Sequence, residues 1–455
     1  MFPPQKDIIL VTIMTSLKNI LKEPLFANTA KMSSSNIVMY LIPIFVTPFL
    51  TRIYAPSFFG DWGIFSSLAM IYTIILFVGF ENTIVKVKEW EIENTIALCY
   101  IVSFFMILGL IILFYCGNFL KIQFFQNFPC YPILIIYLLL HSFYTLFYNL
   151  ANRYEKYTAL SIANIINGTG QAAFRILFGI GIIIVTNGLI FGTTIAIGLT
   201  TLVFFLYITK VISNWKISRI SIKGIMKLIK KYKSFPLFDA PASLLSYAAF
   251  NLPTIILSFY FDKTQIGCFS ILLQLLLIPM SLIGSSIGKV YYQELCKGDK
   301  SPMLITGKVI KLMAVISVLP MLFLSLGGDK VVVIFLGANW HTAGNLALCL
   351  ALWSFPTILT QPLLPIYRYA NKQQVMLYFN FLYFSLGLGS IIISGNAGNT
   401  IYNVLLSYSC VCAIVKFGLF YNILSLVKLP FKSYKSFIPL WAGAIVVLIF
   451  RLFLL

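Results

Sequence analysis

The sequence predicts an all-α integral membrane protein. It should have about 12 transmembrane helices, or 13 if residues 437–455 also cross, in two six-helix lobes around a central cavity. Three observations carry this. Hydrophobic residues make up 60% of the 455 and charged residues only 10%, with a mean hydropathy of +0.93; a soluble chain of this size could not cover so much apolar surface. Apolar runs near 20 residues, long enough to cross a bilayer as helices, recur along the whole chain. The longest basic stretch, Lys210 to Lys233, holds eight Lys or Arg and no Asp or Glu and lies close to the middle.

The runs fall at roughly 32–53, 58–83, 95–116, 130–150, 159–184, 187–209, 236–259, 265–290, 304–326, 343–366, 374–394 and 399–424. Residues 7–22 are short and amphipathic and read as lying on the membrane. The organisation is then an N-terminal segment (1–31), a first lobe (32–209), a basic connector (210–235), a second lobe (236–424) and a basic loop with a hydrophobic end (425–455). No cleavable signal peptide is expected, since the first apolar run is short and lacks a small-residue cleavage site.

Charge sets the orientation. With a cytoplasmic N-terminus, 25 basic residues fall in cytoplasmic segments and four (Arg52, Lys121, Lys263 and Lys330) on the opposite side, which is the positive-inside pattern. That explains the net charge of +20 without nucleic acid as a partner. Within the connector, Ile222, Ile225, Met226 and Ile229 share one side and Lys223, Lys227 and Lys230 another. This suits a helix at the headgroup boundary. The eight cysteines show no metal spacing, and neither a metal nor a cofactor is expected.

Duplication shows in residues as well as in span number. Gly63-Ile64-Phe65-Ser66 opens the second span and Gly267-Cys268-Phe269-Ser270 the eighth. Paired lobes with a site between them are a common transporter plan.

Catalytic groupings are missing, so the informative residues are polar groups inside spans, where a charge costs roughly 2.5–3.5 kcal/mol. On the fifth span Asn164, Gly168, Gln171 and Arg175 share one face. They read as a wet stripe facing a cavity, or as a structural seam between helices. On the fourth, Tyr137, His141, Tyr148 and Asn152 align; His141 is a candidate for proton coupling or an ordinary hydrogen-bonding residue. Tyr402, Ser409 and Lys416 align on the twelfth, and Asp239, Ser243 and Ser246 on the seventh. Asp239 is a second coupling candidate, although a salt bridge to nearby lysines accounts for it more simply. The first span aligns Ser33, Asn36, Tyr40 and Thr47, and the eighth Gln274, Ser281 and Ser285. If Arg175 and Lys416 both face the cavity, it is cationic and suits an anionic cargo.

The run Leu41 to Lys86 resembles the opening of the polysaccharide-exporting flippases of the multidrug/oligosaccharidyl-lipid/polysaccharide exporter (MOP) superfamily. Thr51-Arg52 and Phe59-Gly60 match its helix-ending Thr-Arg and its aromatic-Gly step. Tyr154 to Gly170 and Gly267 to Ser270 look like that family too. The resemblance implies a bacterial inner-membrane protein, not an enzyme, that flips undecaprenyl-diphosphate-linked O-antigen or capsular repeat units. Its partners would be membrane lipids and the polysaccharide polymerase machinery. Arg52 and Asp61 stand at the spacing of an Arg and an Asp in the related lipid II flippases, whose further arginines are missing here. The rivals are a multidrug exporter of the same superfamily and a membrane-embedded polysaccharide polymerase or ligase.

Overall fold

The computed structural model describes residues 39, 41–126, 128, 130–181, 185–212, 220–298, 301–430 and 438–453. The amphipathic stretch 7–22 and the residues Ser33, Asn36 and Tyr40 lie outside them. All the regular structure among the described residues is helical. In chain order the long helices are α1 (Leu41–Ile53), α2 (Pro56–Ile75), α3 (Ile92–Phe119), α4 (Tyr131–Arg153), α5 (Tyr157–Gly179) and α6 (Gly188–Ile212). After the connector come α7 (Ala240–Leu257), α8 (Lys263–Lys297), α9 (Pro302–Leu336), α10 (His341–Thr360), α11 (Gln373–Asn396), α12 (Ile401–Leu426) and α13 (Ile438–Phe453). Nine helical segments among the described residues are long and apolar enough to cross a membrane. α5 is not one of them, because Asn164, Asn167, Gln171 and Arg175 dilute its apolar character.

Successive helices run in alternating directions. Short turns at 54–55, 258–262, 337–340 and 397–400 lie at one end of the bundle, called the far end below. The basic connector and the segments 76–91, 154–156 and 370–372 lie at the other, the connector end.

Helix starts follow local chemistry. Pro56 and Pro302 open α2 and α9, where a missing N–H costs nothing. The Asp262 carboxylate caps α8 by accepting from the Gln265 N–H at 2.8 Å. The connector helix (Ile222–Lys231) is capped by Ser221, whose hydroxyl accepts from the Gly224 N–H at 3.0 Å. It docks on the start of α3: Asn94 Oδ1 accepts from the Ser221 N–H at 2.8 Å, and Lys231 pairs with Glu91 at 2.9 Å. Leu228 is its buried residue, whereas Ile222 and Met226 stay exposed beside Lys223 and Lys227.

Three boundaries depart from the sequence reading. The second span ends at Ile75 rather than near 83, because Val78 and Gly79 take left-handed backbone (φ 52° and 82°) and turn the chain into short 3₁₀ segments. The ninth continues past Gly327-Gly328 to Leu336 through a kink at Gly327 (φ 124°). The stretch 327–342, the longest gap between apolar runs on the outer side, is therefore mostly helix. The eighth runs on to Lys297.

Packing follows sequence order inside each half. α5 lies along α6, and α4 joins them; α12 packs on α10 and α11, with α7 against α11. α10 is almost wholly buried, from Ala343 to Thr360. α13 lies beside α9 and α10. Trp441 donates from Nε1 to the Ala314 carbonyl at 3.2 Å, and Arg451 meets Asp329 at 2.8 Å. α13 is a shorter apolar helix, outside the nine segments long enough to cross. α2 departs from this pattern. It belongs by sequence to the first half yet packs most closely on α8 and α7 of the second.

Charge-bearing hydrogen bonds contribute about 1.5–3 kcal/mol, and the Asp329 side chain is 9% exposed. Asp329→Asn should therefore lower stability by about that amount, seen as an earlier thermal transition in detergent. Adding Arg451→Met to it should cost little more, because the two residues share one interaction.

Candidate inter-lobe cavity and its two closures

The contact between the halves is built on small residues. On α2 Gly60 and Gly63 are one helical step apart, and on α8 Gly267 and Ser270 repeat the spacing. A side chain at Gly60 would strike the Lys263 carbonyl, and one at Gly267 would strike the Pro56 carbonyl. One at Gly63 would strike the Ser270 hydroxyl. Apolar helices gain little by meeting each other inside lipid, so close backbone approach supplies the attraction. The two four-residue motifs that read as a duplication thus pack on each other across the halves.

Polar and aromatic contacts seal the far end around this crossing. Asp61 pairs with Lys263 at 2.8 Å. Arg52 donates from Nη1 to the Phe335 carbonyl at 3.3 Å and from Nη2 to the Ile334 carbonyl at 3.4 Å, in the last turn of α9. Free carbonyls at a helix C-terminus favour a cation. Trp340 donates from Nε1 to the Thr51 carbonyl at 3.0 Å, and its ring meets Phe59 edge-on at 5.1 Å. At the connector end the contact is smaller. Asn82 Nδ2 donates to Asp239 Oδ2 at 3.2 Å, and Lys86 lies over the Phe235 ring at 4.9 Å.

Between the two closures, midway along the helices, is a cavity of about 560 Å³, within the usual range for a ligand pocket. Its wall comes from α2, α7, α8 and the end of α10. Ser66, Ser67, Ser246, Thr254, Ser270 and Thr357 supply hydroxyls, and Asn251, Gln274 and Gln361 supply amides. Trp62, Tyr247 and Phe250 supply rings, and aliphatic side chains supply the rest. Every lining residue described is uncharged.

The buried cations stand behind this wall. Arg175, 8% exposed, lies with its guanidinium 4.9 Å from the Trp62 ring. It donates to Gln171 Oε1 at 2.7 Å and to the Thr193 hydroxyl at 2.8 Å. Gln171 in turn donates to Asn167 at 3.0 Å, and the Tyr54 hydroxyl donates to the Arg175 carbonyl at 2.7 Å. Gly192 opposite leaves room; a side chain there would press on the Arg175 backbone and Cγ. Lys416, 7% exposed, lies over the Tyr383 ring at 4.8 Å, and Tyr383 backs Phe250 of the wall.

The remaining candidates are dispersed. Asn164 is buried in the first half, and Gly168 faces Ile42 of α1 and Met39 just before it. Thr47 is buried and donates to the Pro43 carbonyl at 2.6 Å. Ser409 is buried on α12, and Tyr402 is half-buried near its far end. His141 shares a hydrogen bond with Thr145 at 3.1 Å, between the Tyr137 and Tyr144 rings. Asp239 meets Asn82 of α2's trailing segment rather than a lysine. Of the polar stripes, Ser246 and Gln274 reach the cavity wall. Trp62, Asn251, Thr357 and Gln361 were not singled out in the sequence; the visible signal was Gln361-Pro362 breaking an apolar run.

A family profile described as "Polysaccharide biosynthesis protein" matches residues 49–345. Among solved structures, the chain is similar to an inward-facing multidrug resistance MATE family transporter of the MOP superfamily. That match has a TM-score of 0.65 at 12% identity, over 86% of this chain and 96% of that one. It is also similar to the lipid II flippase MurJ in an inward closed conformation. There the TM-score is 0.60 at 15% identity, over 98% of this chain and 97% of that one. These likenesses establish the MOP fold. No curated protein sequence matches the chain significantly.

Two outcomes test the closures. Cysteines replacing Asp61 and Lys263 should cross-link readily, and adding Gly267→Val should abolish the cross-link by holding α2 and α8 apart. At the connector end, burial raises the Glu81 carboxyl from 4.5 to about 7, with the Asp239 charge adding to it and backbone hydrogen bonds opposing. The folded chain then holds a proton that the unfolded chain has released. Its contribution should weaken as pH rises from about 4.5 to 7 and level off above. Glu81→Gln should flatten that part of a melting-temperature profile against pH.

Proposed function

Because the chain belongs to the polysaccharide biosynthesis protein family, we propose that it is a flippase for polyprenyl-diphosphate-linked oligosaccharide. The finer reading is an undecaprenyl-diphosphate-linked O-antigen or capsular repeat unit, moved from the cytoplasmic to the periplasmic leaflet of a bacterial inner membrane. The observation that carries it is the wall of the inter-lobe cavity. Hydroxyls, amides and aromatic faces without a formal charge are the groups that bind sugar, by hydrogen bonds to hydroxyls and by stacking on ring faces. A cation exporter would call for carboxylates in that wall, and the described lining has none. A polymerase or ligase would call for a large outer loop, and the kinked continuation of α9 removes the longest one suggested by the sequence.

The mechanism we infer is alternating access. Lobes 32–209 and 236–424 rock against each other, opening in turn the far-end closure with its α2–α8 crossing and the connector-end contact, while the polyprenyl tail stays in lipid between helices. With the N-terminus cytoplasmic, the far end is periplasmic and the connector faces the cytoplasm. A membrane potential negative inside favours outward movement of the anionic head by about 2.3 kcal/mol per charge per 100 mV. Arg175 and Lys416 stay with the protein in this scheme and set a positive background behind the rings. His141 and Asp239 are the coupling candidates, and the connector end is where the polysaccharide-assembling partners would hand over cargo.

Deleting the gene should make lipid-linked repeat units accumulate on the inner leaflet while surface polymer disappears. Loss of those units altogether would point to synthesis; unchanged units with new drug sensitivity would point to drug export. Gly192→Val, by overpacking the Arg175 seat at about 1–3 kcal/mol, should reproduce the deletion in part, with protein level maintained.

A further inference from the structure

Trp62 occupies a position no other lining residue shares. It lies on α2 next to Asp61 of the far-end ion pair, and its ring forms part of the cavity wall. Arg175 covers the ring at 4.9 Å, and Phe59 meets it edge-on at 6.3 Å. Phe59 is in turn the ring that Trp340 closes upon. The indole is therefore fixed from two directions by groups that are themselves fixed. The guanidinium is bound to Gln171 and Thr193, and Gly192 gives it room. A ring held this way loses no conformational freedom when a ligand meets it, which is the condition for a stacking platform.

Diphosphate finds no cation in the described wall. Arg175 and Lys416 are separated from the space by Trp62 on one side and by Tyr383 with Phe250 on the other.

Resting on the flippase reading above, we propose that Trp62 is the residue on which a sugar ring of the cargo stacks. The cavity then selects the glycan while the diphosphate stays outside this wall. Arg175 acts as a positioning residue, holding the plane of the indole rather than touching the cargo. The site discriminates a glycosylated polyprenyl diphosphate from the bare lipid. It does so next to the aromatic stack that closes the far end, so cargo is sensed where that closure is made.

The test uses the full chain in lipid nanodiscs and two ligands, a polyprenyl diphosphate carrying a neutral trisaccharide and the same lipid without sugar. Wild type should bind the glycosylated lipid about tenfold more tightly. Trp62→Phe, which keeps an aromatic face, should stay within about threefold of wild type. Trp62→Leu should lose about tenfold for the glycosylated lipid and leave the bare lipid unchanged. Arg175→Met should show the same selective loss, together with an altered near-ultraviolet circular dichroism signal from tryptophan that is absent in a Trp62→Phe background. If Arg175→Met does not fold, the Phe and Leu pair decides alone. Equal losses for both lipids, or no loss in Trp62→Leu while wild type still prefers the glycosylated lipid, would overturn the platform alone. A wild type that binds neither lipid would overturn the flippase reading as well.

Discussion

The structure depends on the close approach of α2 and α8. Inside a bilayer no water drives apolar helices together, so the two halves need another source of affinity where they meet. Here it is backbone against backbone, made possible by Gly60, Gly63 and Gly267 and finished by Asp61 with Lys263. In the proposed transport cycle this contact has to open, and shallow van der Waals terms with one exposed ion pair, itself worth about 0–1 kcal/mol, oppose that less than large interlocking side chains would. Everything else is arranged around this crossing: the cavity lies just below it, the aromatic stack seals its rim, and α2 gives most of its surface to the second half while still touching α4 and α6 of its own.

The helices were legible because a membrane asks only for length and apolarity, which composition alone reveals. Boundaries were less so. Val78 reads as an ordinary strand or helix former, and nothing in its neighbours announces a left-handed backbone, so the second span looked eight residues too long. Gly327-Gly328 gave the opposite error. A glycine pair normally ends a helix, yet here the helix resumes after a kink, because Gly344 of α10 lets α9 pass close by.

The site was legible by halves. A cation or an amide in an apolar run stands out, so Arg175, Gln171, Lys416, Ser246 and Gln274 were visible as unusual. Depth was not visible. Whether Arg175 meets water or a ring depends on the indole that α2 brings to it, and α2 is far away in sequence. Trp62 and Phe250 were hidden for the converse reason: an aromatic among many others in a membrane chain reads as packing. The helical face holding Asn164, Gly168, Gln171 and Arg175 was read from sequence, but its residues are shared between α1 and α6. A helix in a crowded bundle has several neighbours for one stripe.

The seat of Arg175 carries an evolutionary corollary. Because Gly192 has no side chain, the guanidinium-bearing helix can lie against α6 at that height. Alanine at 192 is one nucleotide change away from any glycine codon, so mutation will try it often. Each trial removes the space before any benefit can be gathered from it. Shortening residue 175 would not free the position, because a side chain at 192 meets the backbone N and Cα of residue 175 as well as its Cγ. The constraint therefore lies between two helix backbones, and descendants could enlarge residue 192 only by moving α5 away from α6.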